Sequence, residues 1–148
     1  MVQAVLAPLQ FLIFAASLVL VLRFIATGQG FSAAAASVVV KTLALYAIMI
    51  TGSIWEKAVF GRYLFAPSFF WEDAVSMLVL ALHTLYLAAL FGGFLSERGM
   101  MQLALAAYAA YAFNAAQYVL KLRAARLQAG AAARSPAVEL LDLARVGR

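Results

Sequence analysis

The chain has 148 residues, of which 67% are hydrophobic and only 11% are charged. Soluble domains carry about 25% charged residues, so we expect lipid to cover much of this apolar surface. The lack of cysteine excludes disulfides, thiolate nucleophiles and cysteine-based metal sites. The net charge of +5 does not indicate nucleic-acid binding. Six of the eleven Lys and Arg residues lie at or beyond Lys121, after the last apolar segment, where they suit an anionic membrane surface.

A helix needs about 20 apolar residues to cross a bilayer, and four segments of the chain have that length. No alternation of apolar and polar residues indicates the strands of a membrane barrel. The sequence therefore predicts an all-α integral membrane protein, a bundle of four transmembrane helices. Its membrane domain covers residues 1–128, and a basic, Ala-rich tail follows over residues 129–148. The predicted helices cover about Ala4–Ala26, Ser32–Ile54, Glu72–Leu95 and Met100–Leu120.

The connections between these helices differ in length. Thr27–Gly30 and Ser96–Gly99 are short polar turns, which make their flanking helices antiparallel neighbours. The segment Trp55–Trp71 is longer and rich in aromatic residues. Because aromatic side chains favour the headgroup region of a bilayer, we predict an interfacial aromatic loop between helices 2 and 3.

The distribution of Lys and Arg predicts the orientation of the bundle. With four spans, both termini and the Trp55–Trp71 loop lie on one side, which carries eight of these basic residues. The opposite side carries only Arg23 and Arg98, and Lys41 falls within a span. Because basic residues accumulate on the cytoplasmic side, we predict that both termini and the long loop are cytoplasmic.

Helix 3 carries the most informative polar residues. Glu72, Ser76 and His83 lie within a narrow stripe at 3.6 residues per turn, with His83 near the middle of the membrane. Asp73 points about 100° away from Glu72, so we expect Glu72 to face the same pocket as the histidine. Both acids could instead complement the positive end of the helix. His83 is the only histidine, and an imidazole at that depth needs a partner, which favours a ligand or catalytic role.

Helices 2 and 4 add further polar groups. Lys41 lies near midplane depth, where it either snorkels, pairs with a helix carbonyl or contacts a substrate. Asn114, Gln117 and Lys121 share one face of helix 4, where the amides serve either as interhelical hydrogen-bonding groups or as substrate contacts. The single histidine excludes a bis-histidine haem within one chain, although it could fill one axial position on the magnesium of a tetrapyrrole.

A long stretch of the sequence resembles one family. The segments Ile54–Pro67, Phe69–Asp73 and Ser76–Thr84 closely resemble the 3-vinyl (bacterio)chlorophyllide hydratase family, called 2-vinyl in the older ring numbering. The resemblance extends through Val2–Gln10, Ser37–Thr42 and Ala115–Leu127, and the tail after Gln128 does not share it. It implies a lyase without a cofactor, integral to a bacterial inner (cytoplasmic or photosynthetic) membrane. Such an enzyme adds water to the ring-A vinyl group of chlorophyllide a, or of a related magnesium chlorin, in bacteriochlorophyll biosynthesis.

The expected mechanism needs a carboxylic acid that holds its proton and a base that deprotonates water. Burial in an apolar site favours the neutral form of a carboxyl group, so we expect Glu72 to be the acid and Glu56 or Asp73 to be the base. His83 is expected to bind the substrate magnesium or to position water. Candidates for the substrate carboxylate are Lys57, Arg62, Lys121 and Arg123, although the first two are also simple topology determinants. Further candidate substrate contacts are Lys41, Tyr63, Trp71, Asn114 and Gln117.

Three alternatives stay open at this point. A non-catalytic pigment carrier or assembly factor would use the same pocket without needing the carboxyl groups. A small transporter is less consistent with the sequence, which shows no internal repeat. A homo-oligomer or an association with other pigment-biosynthesis enzymes is compatible with the small residues of helix 4.

Overall fold

The computed structural model describes the backbone of residues 2–146 and the side chains of residues 5–132. It contains four helices in chain order: α1 (Val2–Thr27), α2 (Phe31–Phe60), α3 (Phe70–Gly92) and α4 (Glu97–Val146). All four are long and apolar enough to cross a membrane, over Val5–Thr27, Phe31–Phe60, Phe70–Gly92 and Glu97–Ala132. This confirms the all-helical prediction and the count of four candidate spans.

Glycines end two of these helices. Gly61 follows α2 with φ +76°, and its amide donates to the carbonyl oxygen of Lys57. Gly93 follows α3 with φ +64° and donates to the carbonyl oxygen of Ala89 in the same way. A left-handed residue at this position satisfies a terminal carbonyl, and glycine adopts that conformation without a Cβ clash. The chain can therefore reverse direction within a few residues at both ends of α3.

Two helix ends differ from the prediction. α2 continues to Phe60 instead of ending near Ile54, so the connection to α3 shortens to residues 61–69. The aromatic residues that suggested a loop do not break a helix, and the left-handed Gly61 is the actual stop. α4 continues from the predicted end near Leu120 to Val146, because the Ala, Leu and Arg residues there are strong helix formers. Hydropathy predicts the residue at which a helix leaves the lipid, and this residue need not be the one at which the helix itself ends.

Residues Met1–Asn114 form one compact unit. Within it the Phe24 and Phe31 rings join α1 to α2, and Tyr46 joins α2 to Thr84 of α3. The buried core near the short turns includes Val21, Val38, Tyr86, Met101, Ala104 and Ala107. Alanines on α4 allow the helices to approach closely. The result is a four-helix bundle whose interior also holds polar side chains.

Residues Ala115–Arg148 form a second unit, which continues α4. Its side chains are exposed at most positions up to residue 132. The predicted domain boundary after residue 128 and the role of the tail stay predictions, and the side chains of residues 133–148 lie outside the described part of the chain.

Candidate functional site

Two buried carboxyl groups meet where α2 ends and α3 begins. Glu56 and Asp73 are only 5% and 4% exposed, respectively. Their side chains are close enough to interact with each other, and two neighbouring buried carboxyl groups are most favourable when they share one proton, because two negative charges repel each other in a buried place. The arrangement resembles the carboxyl dyads of enzymes in which two acids share one proton. It therefore supplies a proton donor and a proton acceptor at one place.

The short α2–α3 connection holds this carboxyl pair in position. The amide of Phe65 donates to Oδ2 of Asp73, and the amide of Ala66 donates to Oε1 of Glu56, each at 2.7 Å. Phe65 has φ +60°, a left-handed conformation that is rare for a bulky residue and costs about 1–3 kcal/mol. The two hydrogen bonds from the loop backbone to the buried acids offset that cost. The loop backbone and the acids therefore fix one another.

The structure corrects the expected orientation of the two acids on α3. Asp73, not Glu72, shares the fully buried face with Ser76 and His83, whereas Glu72 is only partly buried. Periodicity alone places Glu72 closer to the centre of this face. The α2–α3 connection, however, folds over the side on which Asp73 lies and supplies its amide donor. The catalytic role assigned to Glu72 stays a prediction.

A second group of polar side chains lies deeper in the bundle, around His83. The His83 ring is fully buried, and its Nδ1 lies 2.8 Å from the carbonyl oxygen of Val79. Because a carbonyl only accepts hydrogen bonds, Nδ1 carries the proton and Nε2 keeps its lone pair. Nε2 has no hydrogen-bond partner among the described residues. A histidine with this bonding is arranged as a metal-ligating histidine usually is, with its second nitrogen donating to a backbone carbonyl.

Lys41 and Tyr108 lie close to this imidazole, and Tyr111 contacts Lys41. The Tyr108 ring lies 5.9 Å from the His83 ring, and Lys41 is close enough to interact electrostatically with it. The Nζ of Lys41 lies 3.4 Å from the centre of the Tyr111 ring. Because these residues come from α2, α3 and α4, the bundle brings them together as the sequence predicted for Lys41 and His83. We call Lys41, His83, Tyr108 and Tyr111 the interior cluster.

Ser76 and Asn114 lie between the carboxyl pair and the interior cluster. The Asn114 amide donates to the Ser76 hydroxyl at 2.8 Å, which joins α3 to α4. Ser76 is one turn from Asp73 on the buried face of α3. The predicted alternative of an interhelical hydrogen bond is therefore confirmed for Asn114. Its Oδ1 stays without a hydrogen-bond partner within residues 5–132.

Comparison with known proteins identifies the family. Residues 1–124 match the protein family that is described as 2-vinyl bacteriochlorophyllide hydratase. The chain belongs to this hydratase family. A relative named 2-vinyl bacteriochlorophyllide hydratase from Rhodobacter capsulatus is 63% identical over 129 residues, which are 87% of this chain and 75% of the relative. One of the same name from Cereibacter sphaeroides is 61% identical over 133 residues, 89% of this chain and 82% of the relative. No solved structure matches the chain.

All of the candidate site residues lie within residues 1–124, the range that matches the hydratase family. Not all of them meet at one place, however. Lys57, Arg62, Tyr63 and Trp71 are exposed at the surface near the α2–α3 connection. The Nζ of Lys57 donates to the carbonyl oxygen of Gly61 at 2.9 Å and lies 5.2 Å from the centre of the Tyr63 ring. Lys57 therefore caps the end of α2, and the contacts of these exposed side chains with a substrate stay predictions.

Gln117 and Lys121 belong to the second unit, along the continuation of α4. Both are partly buried, and Oε1 of Gln117 has no hydrogen-bond partner in the described part of the chain. Arg123, two residues further along, is exposed. Their predicted contacts with a substrate stay predictions.

The structure also reveals interior polar residues of this hydratase-family chain that the sequence pattern did not indicate. The Ser17 hydroxyl bonds both the Ser37 hydroxyl and the Tyr108 hydroxyl, which ties α1 to α2 and α4 beside the interior cluster. Small hydroxyl residues are common in membrane helices, so Ser17 and Ser37 gave no signal by themselves. Only their depth, similar to that of Lys41 and His83, could have indicated them.

The described residues do not form a metal site of their own, since no three His, Asp or Glu side chains lie close enough together to hold an ion. His83 could add one nitrogen to a metal ion that a bound molecule already carries.

Proposed function

We propose that this chain hydrates the ring-A vinyl group of chlorophyllide a or a related magnesium chlorin. The product is the 1-hydroxyethyl derivative, and the reaction belongs to bacteriochlorophyll biosynthesis. Family membership supports the reaction, and the buried carboxyl pair Glu56–Asp73 is the structural observation that carries it. Addition of water to an alkene requires one proton to be given and one to be taken back, and a pair that shares a single proton does both. The reaction needs no redox cofactor, because water supplies every atom that is added.

The proposed mechanism has two proton transfers. The protonated member of the pair gives its proton to the terminal vinyl carbon, and the π electrons of the double bond form the new C–H bond. The positive charge that develops on the inner carbon is spread over the conjugated macrocycle. Water then adds to that carbon, and the ionised pair accepts the proton that the water loses. The pair returns to its starting state, so the sum is one water added.

The division of roles between the carboxyl groups follows from their surroundings. Asp73 and Glu56 are buried and linked, so either can act as donor while the other accepts. Glu72 lies next to Asp73 in sequence and is partly buried, and it stays the alternative proton donor. His83 is proposed to bind the substrate magnesium through Nε2. The hydrogen bond from Nδ1–H to the Val79 carbonyl orients the ring and leaves the Nε2 lone pair free for this bond.

The test of this function is a reaction of the detergent-purified protein with chlorophyllide a and water alone. The expected product is heavier by one water, and its red absorption band moves to shorter wavelength because conjugation with the vinyl group is lost. Tight binding of the pigment without a change in mass would instead support a pigment carrier. Protein that is folded but neither binds nor converts the chlorin would contradict the proposal.

We also propose that the four candidate spans cross a bacterial inner membrane with both termini and the α2–α3 connection in the cytoplasm. The support is the charge asymmetry: Lys57 and Arg62 lie near one end of the bundle, and Arg23 and Arg98 are the basic residues near the other. The exposed aromatic side chains near the α2–α3 connection, among them Tyr63 and Trp71, suit the headgroup region. Association with a second copy or with other pigment enzymes stays a prediction.

The orientation can be tested directly, because the native chain has no cysteine. Ser68→Cys places a thiol in the α2–α3 connection, and Ser96→Cys is its matched control in the α3–α4 turn, since both serines are exposed. In intact cells, a membrane-impermeant thiol reagent applied outside the inner membrane is expected to label Ser96→Cys and not Ser68→Cys. The opposite pattern would reverse the proposed orientation.

A further inference from the structure

Lys41 carries a fully buried amino group that the proposed mechanism does not use. Its side chain lies in α2 near the middle of the bundle, with no exposed surface. The Nζ sits over the Tyr111 ring at 3.4 Å and has no hydrogen-bond acceptor among the side chains of residues 5–132. An ammonium group has three donors to satisfy, and none of them is matched here.

A cation in such a position needs an anion. Charged groups within a membrane are costly unless they are paired, and those that occur mark binding sites and transport paths. A cation–π contact contributes about 2 kcal/mol when it is desolvated, whereas burying an ion costs several kcal/mol. The Tyr111 ring therefore offsets only part of the cost. A carboxylate would accept the N–H groups and cancel the charge.

His83, which interacts electrostatically with Lys41, and Tyr86 on the same face of α3 carry further unpaired polar atoms among the described residues. His83 keeps a free lone pair on Nε2, and Tyr86, one turn further along the buried face of α3, has a hydroxyl without a hydrogen-bond partner in the described chain. Together they present one cation, one hydroxyl donor and one nitrogen lone pair. The cation and the hydroxyl can bind a carboxylate, and the nitrogen lone pair can bind a magnesium ion. A molecule that carries both groups therefore matches this set.

We propose that Lys41 binds the carboxylate of the chlorin substrate and so anchors the inner edge of the macrocycle. This inference rests on the proposed function, because it takes the substrate to be a chlorin with a free propionate. Along α3, His83 follows Asp73 by ten residues, which is about 15 Å and comparable to the width of a tetrapyrrole. A chlorin that extends over this distance would contact both Lys41, which interacts with His83, and the carboxyl pair.

The exposed cations are weaker candidates for this role. Lys57 already donates to the Gly61 carbonyl, and both Lys57 and Arg62 face solvent or headgroups. Ion pairs in such exposed places contribute little. At Lys41 the surroundings are apolar, so the same pairing is stronger and discriminates better against a neutral substituent.

The experiment measures binding of two ligands, chlorophyllide a and its methyl ester, by three proteins: unaltered, Lys41→Met and Lys57→Met. Methionine keeps the length of the lysine stem and removes the charge. The unaltered protein is expected to bind the acid about 10- to 100-fold more tightly than the ester, which is the range for a charge-assisted hydrogen bond. Lys41→Met is expected to lose this preference and to bind the ester as before. Lys57→Met is the matched control and is expected to keep the preference.

The outcomes separate the inference from the function on which it rests. Equal affinity for acid and ester in the unaltered protein, or a preference that survives Lys41→Met, would overturn the role of Lys41 while leaving the hydratase proposal intact. Loss of the preference in Lys57→Met would move the carboxylate site to the surface. If the unaltered protein bound neither ligand, the chlorin substrate itself would be wrong. Ester binding reports whether Lys41→Met is folded, and Lys41→Gln replaces it if it is not.

Discussion

Replacing Asp73 with asparagine is expected to lower the rate of vinyl hydration by about 10²–10⁴-fold, the usual contribution of a positioned general acid or base. Asparagine has nearly the same shape, and its side-chain oxygen can still accept the Phe65 amide that Asp73 Oδ2 accepts. It cannot give or take the proton that the pair shares. The loss is therefore expected in kcat, measured by product formation, with little change in the affinity for chlorophyllide.

Variants of the neighbouring acids make this prediction specific. Glu56→Gln is expected to cause a loss of similar size, because it removes the other member of the same pair. The double variant should be little worse than either single one, since residues that act as a unit are not additive. Glu72→Gln is the matched control on the same turn of α3. Full turnover by Asp73→Asn together with an inactive Glu72→Gln would return the acid role to Glu72.

The comparison of Glu72 with Asp73 illustrates how far the sequence could predict this site. Composition and apolar length predicted four helices and their order, because crossing a bilayer imposes a simple length requirement. Helical spacing predicted a polar face containing Ser76 and His83, and the structure confirms it. Which adjacent acid is buried depends instead on the path of the α2–α3 connection. That path depends on Gly61 and on the strained Phe65, and spacing contains no information about either.

The interior cluster was predictable only in part. Lys41 and His83 could be found because ionisable residues are rare in membrane spans and are therefore conspicuous. The Ser17 hydroxyl and the Tyr111 ring were not conspicuous, since hydroxyl and aromatic residues are common in such helices. Their contacts depend on how the helices are rotated about their axes, and side-chain packing sets this rotation. The pairing of the Lys41 cation with the Tyr111 face is a three-dimensional result of that kind.

Replacing His83 with leucine is expected to abolish the preference of the protein for a magnesium chlorin over the same chlorin without its metal. Only the magnesium form can accept the Nε2 lone pair, which the Nδ1–H contact with the Val79 carbonyl leaves free. We expect the unaltered protein to bind the magnesium form on the order of 10- to 100-fold more tightly, and the variant to bind both forms alike.

The control for this measurement is Tyr108→Phe, which alters the ring beside His83 but leaves the imidazole in place. It is expected to keep the preference for the magnesium form, although it loses the hydrogen bond to Ser17. A preference that persisted in His83→Leu would remove magnesium binding from this residue. The free lone pair would then be better assigned to holding the water that adds to the vinyl group, and the variant would lower turnover without changing chlorin affinity. The ratio of the two affinities, measured beside kcat, therefore decides between the two roles of the one histidine.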